Sequence, residues 1–421
     1  MMRFFELPLK AKMLLVFLTC YCFMSTDLQA QTRSLKPATA KKPTAPVAQV
    51  QPEPPNPYTE TDKKALLMPD SMTKSTETIA AYINGNFSLD RDRIRAAFAW
   101  VASNIRYDVP NMYAINYYEK KEDKIAKPLQ TRQGICENYA ALFTDICQKM
   151  GVPGFVVEGY VRLDNQISSL SHAWCVARID SAWYLFDPTW ASGYVNNGVF
   201  VSKINNAYYK TDPSIFIQTH MPFDHLWQLL YHPINFTDFN DGKVRESNNG
   251  AVFNFPDSIT VYEKQNPTER NEAAYARIEN NGARNPPVFN MLLYIRQCIE
   301  EAKTSEYNSA ATDLNNAVAN FNEFIRYRNK QFTPLRPDAE IQAMLDSASG
   351  PYNRSKVQYS RIYNAGPNLQ GPMNTLQKQL NDFSEQLEEQ EVWLAKYFSK
   401  GKSGRRNMFY VKLNWFGKPV N

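Results

Sequence analysis

The stretch that decides the fold is residues 131–140, Thr-Arg-Gln-Gly-Ile-Cys-Glu-Asn-Tyr-Ala. Gly134 permits a tight turn, and the residues that follow it have the apolar spacing of a helix with one buried face. The apolar residues of that face are Tyr139, Leu142, Phe143, Ile146 and Met150, and Gly151 and Pro153 end the helix. Cys136 is therefore predicted at or just before the first helical turn, where unpaired amides and the helix dipole favour a thiolate.

A nucleophilic cysteine needs a base, and the base needs a group that orients it. The chain has four histidines. One of them, His172, begins the first of two strand-like runs, at 172–179 and 182–186. A buried cysteine or histidine is also a common core residue, which is the interpretation for Cys147. Cys136 and His172 are candidates that need a third group.

Asp187 is that third group. Asp180-Ser181 lies between the two strand-like runs and predicts a two-residue hairpin turn. Such a turn pairs Trp174 with Asp187, so that His172 and Asp187 lie diagonally on one face of the sheet. A shift of the turn by one residue places them directly opposite each other. Either register lets Asp187 reach the imidazole, although an Asp before a Pro at a strand end is also an ordinary turn signal.

Three blocks in this order resemble the transglutaminase-like superfamily. They are 134–140 (Gly-Ile-Cys-Glu-Asn-Tyr-Ala), 171–174 (Ser-His-Ala-Trp) and 186–190 (Phe-Asp-Pro-Thr-Trp), and the resemblance covers about residues 85–245. Further blocks look like the kyphoscoliosis peptidase branch: 213–216 (Pro-Ser-Ile-Phe), 219–222 (Thr-His-Met-Pro) and 227–230 (Trp-Gln-Leu-Leu). The resemblance implies an α+β, papain-like/transglutaminase-like core, in which the nucleophile's helix packs on an antiparallel sheet.

The same resemblance implies the roles of the site residues. Cys136 would be the nucleophile, His172 the general base and then the general acid, and Asp187 the residue that fixes the imidazole tautomer. The backbone amide of Cys136 is a natural oxyanion donor, and the sequence does not identify a second one. Trp174 and Trp190 either wall the substrate cleft or, as strand aromatics, belong to the core.

The sequence predicts no metal and no cofactor. His220, His225 and His232 are five and seven residues apart, which does not match a pair of helical ligands, and no cysteine or carboxylate cluster completes a tetrahedral site. There is no calcium loop of alternating Asp and Asn. A phosphate-binding glycine-rich loop and a dinucleotide fingerprint are also missing from the sequence.

Residues 1–30 predict a secretory signal. Basic residues precede an apolar run at 13–24, and small residues near Ala30 offer a cleavage site. The run is shorter than the ~20 residues that a bilayer-spanning helix needs. A lipid anchor at Cys20 is disfavoured because Thr19 is larger than the residue that usually precedes a lipidated cysteine. We therefore expect a secreted or periplasmic protein with no membrane span in the mature chain.

The remaining chain divides by composition. Residues 31–62 are rich in Pro and poor in large apolar residues, which predicts an extended linker. A transglutaminase-like domain is predicted at 63–245, and a mainly helical region at 246–421. The helices predicted in that region are 268–278, 288–302, 310–327, a short one at 339–345 and a long one after Gly371-Pro372. This region is expected to bind a protein partner, position substrate or cap the cleft.

Composition limits the function classes. The 47 basic and 42 acidic residues give a net charge of +5 without a long run of like charge, so no nucleic-acid partner is expected. With 43% hydrophobic residues, the chain is not collagen-like, fully disordered or a polytopic membrane protein. The sequence predicts an exported, thiol-dependent acyl-transfer enzyme that hydrolyses peptide or protein amide bonds. A non-catalytic peptide- or glycan-binding module with the same fold and a protein-crosslinking transglutaminase are the alternatives.

Overall fold

The computed structural model describes residues 56–245, 251–282 and 285–410. The signal sequence predicted at 1–30 and most of the linker predicted at 31–62 lie outside these residues. The strands are β1 (Arg106–Tyr107), β2 (Gln133–Gly134), β3 (Gly154–Leu163), β4 (Gln166–Ile179), β5 (Ala182–Phe186), β6 (Gly193–Asn196), β7 (Val199–Ser202), β8 (Tyr209–Thr211) and β9 (His220–Pro222). The helices are α1 (Thr59–Leu66), α2 (Thr76–Asn86), α3 (Asp90–Asn104), α4 (Lys121–Thr131), α5 (Cys136–Lys149), α6 (Pro188–Ser192), α7 (Pro213–Phe216), α8 (Phe236–Asn240), α9 (Phe255–Lys264), α10 (Pro267–Glu279), α11 (Pro286–Asn329), α12 (Asp338–Ser360), α13 (Pro367–Phe398) and α14 (Lys402–Asn407).

A five-stranded antiparallel sheet in the order β8-β5-β4-β3-β9 forms the centre of the fold. Strands β4 and β5 pair with Cys175 opposite Phe186, which is the register that a turn at Asp180-Ser181 predicts. Both turn residues have positive φ, 47° and 76°. Positive φ at both positions is the geometry of the two-residue turns that match strand twist. The predicted hairpin and its register are confirmed.

Helix α5 packs on one face of this sheet. Ala173, Cys175 and Ala177 of β4 share a buried core with Tyr139 and Phe143 of α5. The small side chains on the strand leave room for the large ones on the helix, so the two elements approach closely. The predicted α+β architecture, with the Cys136 helix against an antiparallel sheet, is confirmed.

Folded structure begins slightly earlier than composition indicates. Helix α1 starts at Thr59, inside the stretch predicted as linker, and it is held by a buried ion pair with α3. The Arg95 guanidinium, 1% exposed, donates to both carboxylate oxygens of Asp62 at 2.6 and 2.7 Å. It also lies 4.3 Å from the centre of the Tyr58 ring. Composition predicts no order here because the contact partner, Arg95, is distant in sequence.

The C-terminal region is more helical than the sequence indicates. Helix α11 runs unbroken through the two helices predicted at 288–302 and 310–327. Helix α12 occupies 338–360, where only a short helix at 339–345 was expected, and it continues through Gly350 and Pro351. Its buried stripe of Ile341, Leu345, Ala348 and Tyr352 packs against α11 and α13. Tertiary packing therefore outweighs the local penalty of Gly and Pro.

Helix α11 joins this bundle to the sheet. Its first half shares a core with Tyr160 of β3 and Met221 of β9, and its second half packs with α12 and α13. None of the helices in the part of the chain that the structure describes has the length and apolar composition needed to cross a bilayer.

Candidate active site

His172 and Asp187 meet as the sequence predicts. His172 lies on β4, and Asp187 directly follows β5. The Nε2 atom of His172 is 2.7 Å from Oδ2 of Asp187. Both residues are buried, His172 with 8% of its surface exposed and Asp187 with none. The two residues come into contact because the hairpin turn sets the register of β4 and β5.

Asp187 makes this contact while it also caps helix α6. Its Oδ1 atom accepts the backbone N–H groups of Thr189, at 2.8 Å, and Trp190, at 3.0 Å. Pro188 occupies the first helical position, where a missing N–H costs nothing. Asp187 can therefore cap helix α6 and contact His172 at the same time, because each interaction uses a different carboxylate oxygen. The cap fixes the direction in which Oδ2 points.

His220 is a third member of this cluster that sequence reasoning missed. Its Nε2 atom lies 3.2 Å from the same Oδ2 of Asp187, and its Nδ1 atom lies 2.8 Å from Oγ1 of Thr219. His220 pairs with Val161 and His172 pairs with Gly159 across β3, so the two histidines share a face of the sheet. The only sequence signal was the block at 219–222, and it carried no information on strand pairing.

Buried charge determines the protonation states of this cluster. Burial alone would raise the pKa of Asp187, but the charge and hydrogen bond of His172, supplemented by His220, hold that pKa well below its usual range. Burial alone would lower the pKa of His172, but the adjacent Asp187 carboxylate, together with contact from Cys136, raises it to about 10. Burial lowers the pKa of His220 to about 4. At neutral pH, His172 is therefore protonated and His220 is neutral.

Cys136 is the first residue of α5 and is 4% exposed. The pKa of His172 depends on burial and on Asp187 first, and then on a hydrogen bond and charge from the Cys136 thiol. The thiol nevertheless lies outside the close cluster formed by His172, Asp187 and His220. It is a free cysteine. The contact that the structure shows directly is that between His172 and Asp187, and the Cys136 thiol enters only through its influence on the pKa of His172.

The two tryptophans differ in their surroundings. Trp174 has no exposed surface and packs with Val157, Val176 and Leu226, so it is a core residue and does not wall an open cleft. Trp190 is partly exposed, and its ring centre lies 4.4 Å from that of His220 and 5.6 Å from that of His172. Trp190 therefore stays a candidate for the cleft wall.

The donor atoms of His172, Asp187 and His220 all lie within 4.8 Å of one another, which also describes a potential metal site. Sequence reasoning expected no metal, because it considered His220 together with His225 and His232. Both imidazoles approach a single carboxylate oxygen at hydrogen-bond distances. We interpret the cluster as a hydrogen-bonded relay.

Comparison with known proteins identifies a family for part of the chain. Residues 77–188 match the family model of the transglutaminase-like superfamily. This part of the chain is a transglutaminase-like domain, and the resemblance seen in the three sequence blocks is confirmed.

Individual relatives are similar to less than half of the chain. Kyphoscoliosis peptidase of Mus musculus is 31% identical over 186 residues, which are 41% of this chain and 27% of that protein. Hillarin of Drosophila melanogaster is 22% identical over 206 residues, 44% of this chain and 24% of that protein. The crystal structure of a TGase is 20% identical with a TM-score of 0.22, and the match covers 36% of each chain. The chain thus spans about a quarter of the length of these curated relatives.

Proposed function

We propose that the protein is a thiol-dependent acyl-transfer enzyme that hydrolyses amide bonds of peptides or proteins. The observation that carries this proposal is the buried contact between His172 and Asp187 beside a cysteine at a helix N-terminus. A buried aspartate keeps the imidazole protonated and oriented, and a protonated imidazole stabilises a neighbouring thiolate.

The reaction follows from these positions. The Cys136 thiolate attacks the carbonyl carbon of the amide, and the electron pair of the C=O bond moves to oxygen. The C–N bond then breaks, and the amine leaves with a proton from His172. Water adds to the thioester after His172 removes its proton, and the carboxylic acid leaves as Cys136 is released. The backbone amide of Cys136 is proposed as one oxyanion donor.

The decisive experiment is peptide cleavage by cysteine variants. The protein is incubated with an unstructured peptide mixture, and new termini are identified by mass spectrometry. Cys136→Ala is expected to abolish new termini, whereas the matched control Cys298→Ala, a partly exposed cysteine of α11, is expected to retain them. Cleavage that persists in Cys136→Ala contradicts the proposal. Incorporation of a fluorescent primary amine into the peptides would identify transamidation, the chemistry of a crosslinking enzyme, instead of hydrolysis.

A non-catalytic binding module is the second candidate, and the position of the thiol outside the close cluster favours it. Iodoacetamide labelling distinguishes the two. An active site predicts that Cys136 reacts well below pH 8 and that His172→Ala removes this reactivity. A binding module predicts reaction only near the free-thiol pKa of ~8.5, together with peptide or glycan binding without cleavage.

Export is part of the same proposal. The predicted signal at 1–30 implies that the enzyme meets its peptide or protein substrate outside the cytosol. Expression with and without residues 1–30, followed by fractionation, tests it. Retention of the full-length protein in the cytosol contradicts export.

A further inference from the structure

We propose that His220 is a positioning residue for the acyl-transfer site, which donates a hydrogen bond to Asp187 and divides the carboxylate between two imidazoles. This inference rests on the proposed function. His220 does not touch substrate, because only 1% of its surface is exposed. It acts through Asp187, whose Oδ2 atom faces Nε2 of His172 at 2.7 Å and Nε2 of His220 at 3.2 Å.

The contact with the Asp187 carboxylate favours one tautomer of a neutral His220. A carboxylate oxygen can only accept, so the proton of a neutral His220 must be on Nε2, facing Asp187. Nδ1 is then an acceptor, and the Thr219 hydroxyl lies 2.8 Å away to donate to it. Burial lowers the pKa of His220 to about 4, which agrees with a neutral ring at physiological pH. A hydrogen bond from Thr219 to Nδ1 thereby helps to orient the His220 ring with Nε2 towards Asp187.

Aromatic packing holds the ring in this orientation. The centre of the His220 ring lies 4.0 Å from that of Phe216, with an interplanar angle of 26°, and 4.4 Å from that of Trp190. Trp174 closes a third side at 5.2 Å. The backbone of His220 is paired with Val161 of β3. A ring enclosed in this way is held against Oδ2 of Asp187, while the α6 cap holds Oδ1.

The hydrogen bond from His220 to Asp187 lowers the pKa that Asp187 gives to His172. Each hydrogen bond that Asp187 accepts spreads its negative charge, which leaves less charge to stabilise the His172 imidazolium. Without His220, the carboxylate would hold the His172 proton more tightly and return it less readily to a leaving amine. His220 therefore keeps His172 acidic enough to serve as a general acid.

The titratable groups around this cluster are known. Cys136 at the start of α5 and Asp187 and His220 themselves face His172. The tyrosines nearby are Tyr107, Tyr139 and Tyr208, and burial raises the pKa of each. Burial therefore favours the neutral hydroxyl group in each of these tyrosines.

The test is an NMR titration of the full chain with isotope-labelled histidine, in a Cys136→Ala background that removes the thiol charge. The chain has four histidines, so single substitutions assign their signals. His220→Leu is expected to shift the His172 titration upward by about half a pH unit or more. His220→Gln, whose amide nitrogen reaches the position of Nε2, is expected to restore the parent value. His220→Asn, whose amide is too short to reach Asp187, is expected to behave like the leucine variant.

The outcomes separate positioning from structure. His225→Leu is the matched control, because His225 packs on Phe253 away from Asp187, and its His172 titration is expected to be unchanged. The proposal is overturned if His172 titrates alike in the parent and in a folded His220→Leu, or alike in His220→Gln and His220→Asn. Absence of peptide cleavage in every variant would refute the proposed function but leave this titration intact. In the presence of Cys136, the peptide-cleavage profile of His220→Leu should show its alkaline limb displaced upward, with His220→Gln as the rescue.

Discussion

Replacing Asp187 with asparagine tests the electrostatic design of the site most directly. The pKa of His172 is about 10 in the protein, against an ordinary value of 6.5, because the Asp187 carboxylate overcomes the burial that would lower it. In Asp187→Asn the burial penalty remains, the carboxylate charge is gone, and the Cys136 thiol is the smaller influence that still raises the pKa. The pKa of His172 is then expected at or below 6.5.

The size of the effect at pH 7 follows from these values. With a pKa of about 10, His172 is protonated in all but about one molecule in a thousand, and with a pKa of 6.5 or lower it is protonated in about a quarter or fewer. If the imidazolium stabilises the reactive thiolate, the rate of Cys136 alkylation should fall at least about fourfold. The assay is the iodoacetamide labelling rate of the Cys136 peptide between pH 5 and 9, followed by mass spectrometry.

A matched control exists in the chain. Asp212 also precedes a proline and caps a helix, with its Oδ1 atom accepting the backbone N–H of Ser214 at 2.8 Å. It is exposed, and Asp212→Asn should leave the labelling rate unchanged. Because asparagine keeps an acceptor oxygen for the α6 cap, circular dichroism should show both variants folded. A folded Asp187→Asn with the labelling rate and pH profile of the parent would refute the reasoning.

Three further predictions concern stability. Arg95→Leu leaves Asp62 buried without its partner and should lower the free energy of unfolding by about 3–5 kcal/mol in urea titrations; a loss below 1 kcal/mol would show that the pair is solvated. Gly159→Ala places a Cβ 2.2 Å from the backbone oxygen of Met221 and should cost about 1–3 kcal/mol or more; an unchanged melting temperature would contradict this close approach. The third prediction compares the free energy of unfolding of Cys136→Ala protein with that of the same protein carrying His172→Gln. The extra stability from His172 should be complete below pH 6.5 and should decline as the pH rises through the folded-state pKa of His172. The reason is that the folded state holds this proton more tightly than the unfolded chain does. A stability difference between the two proteins that grows with pH would contradict this prediction.

Sequence patterns predict the parts of the site that depend on local order. The position of Cys136 follows from a glycine turn and one amphipathic helix. The contact between His172 and Asp187 follows from a two-residue turn, since strand pairing beyond such a turn is fixed by counting. The resemblance to the transglutaminase-like superfamily points to the same residues, and residues 77–188 match its family model.

The features that sequence patterns missed depend on contacts between distant segments. His220 reaches Asp187 only because β9 pairs with the edge of β3 that faces away from β4. The residues next to His220 in the sequence do not predict that pairing. Trp174 has no exposed surface because residues beyond 215, including Phe216 and Leu226, cover its face of the sheet. Helix α12 forms through Pro351 because α11 and α13 bury its apolar stripe. Local propensity carries none of this information.

The C-terminal helices belong to the scaffold of the candidate site, although composition separates them at residue 246. Met221, the neighbour of His220 on β9, shares a buried core with Met291 and Ile295 of α11. The hydroxyl of Tyr117 contacts Ser171, the neighbour of His172, while its ring stacks on Tyr294 of α11 with centres 5.3 Å apart. The chain neighbour of His220 thus packs directly against α11, and the chain neighbour of His172 contacts a tyrosine that stacks on α11. A helix in that position stabilises the geometry of the relay, which gives the helical region a physical role apart from any partner that it binds.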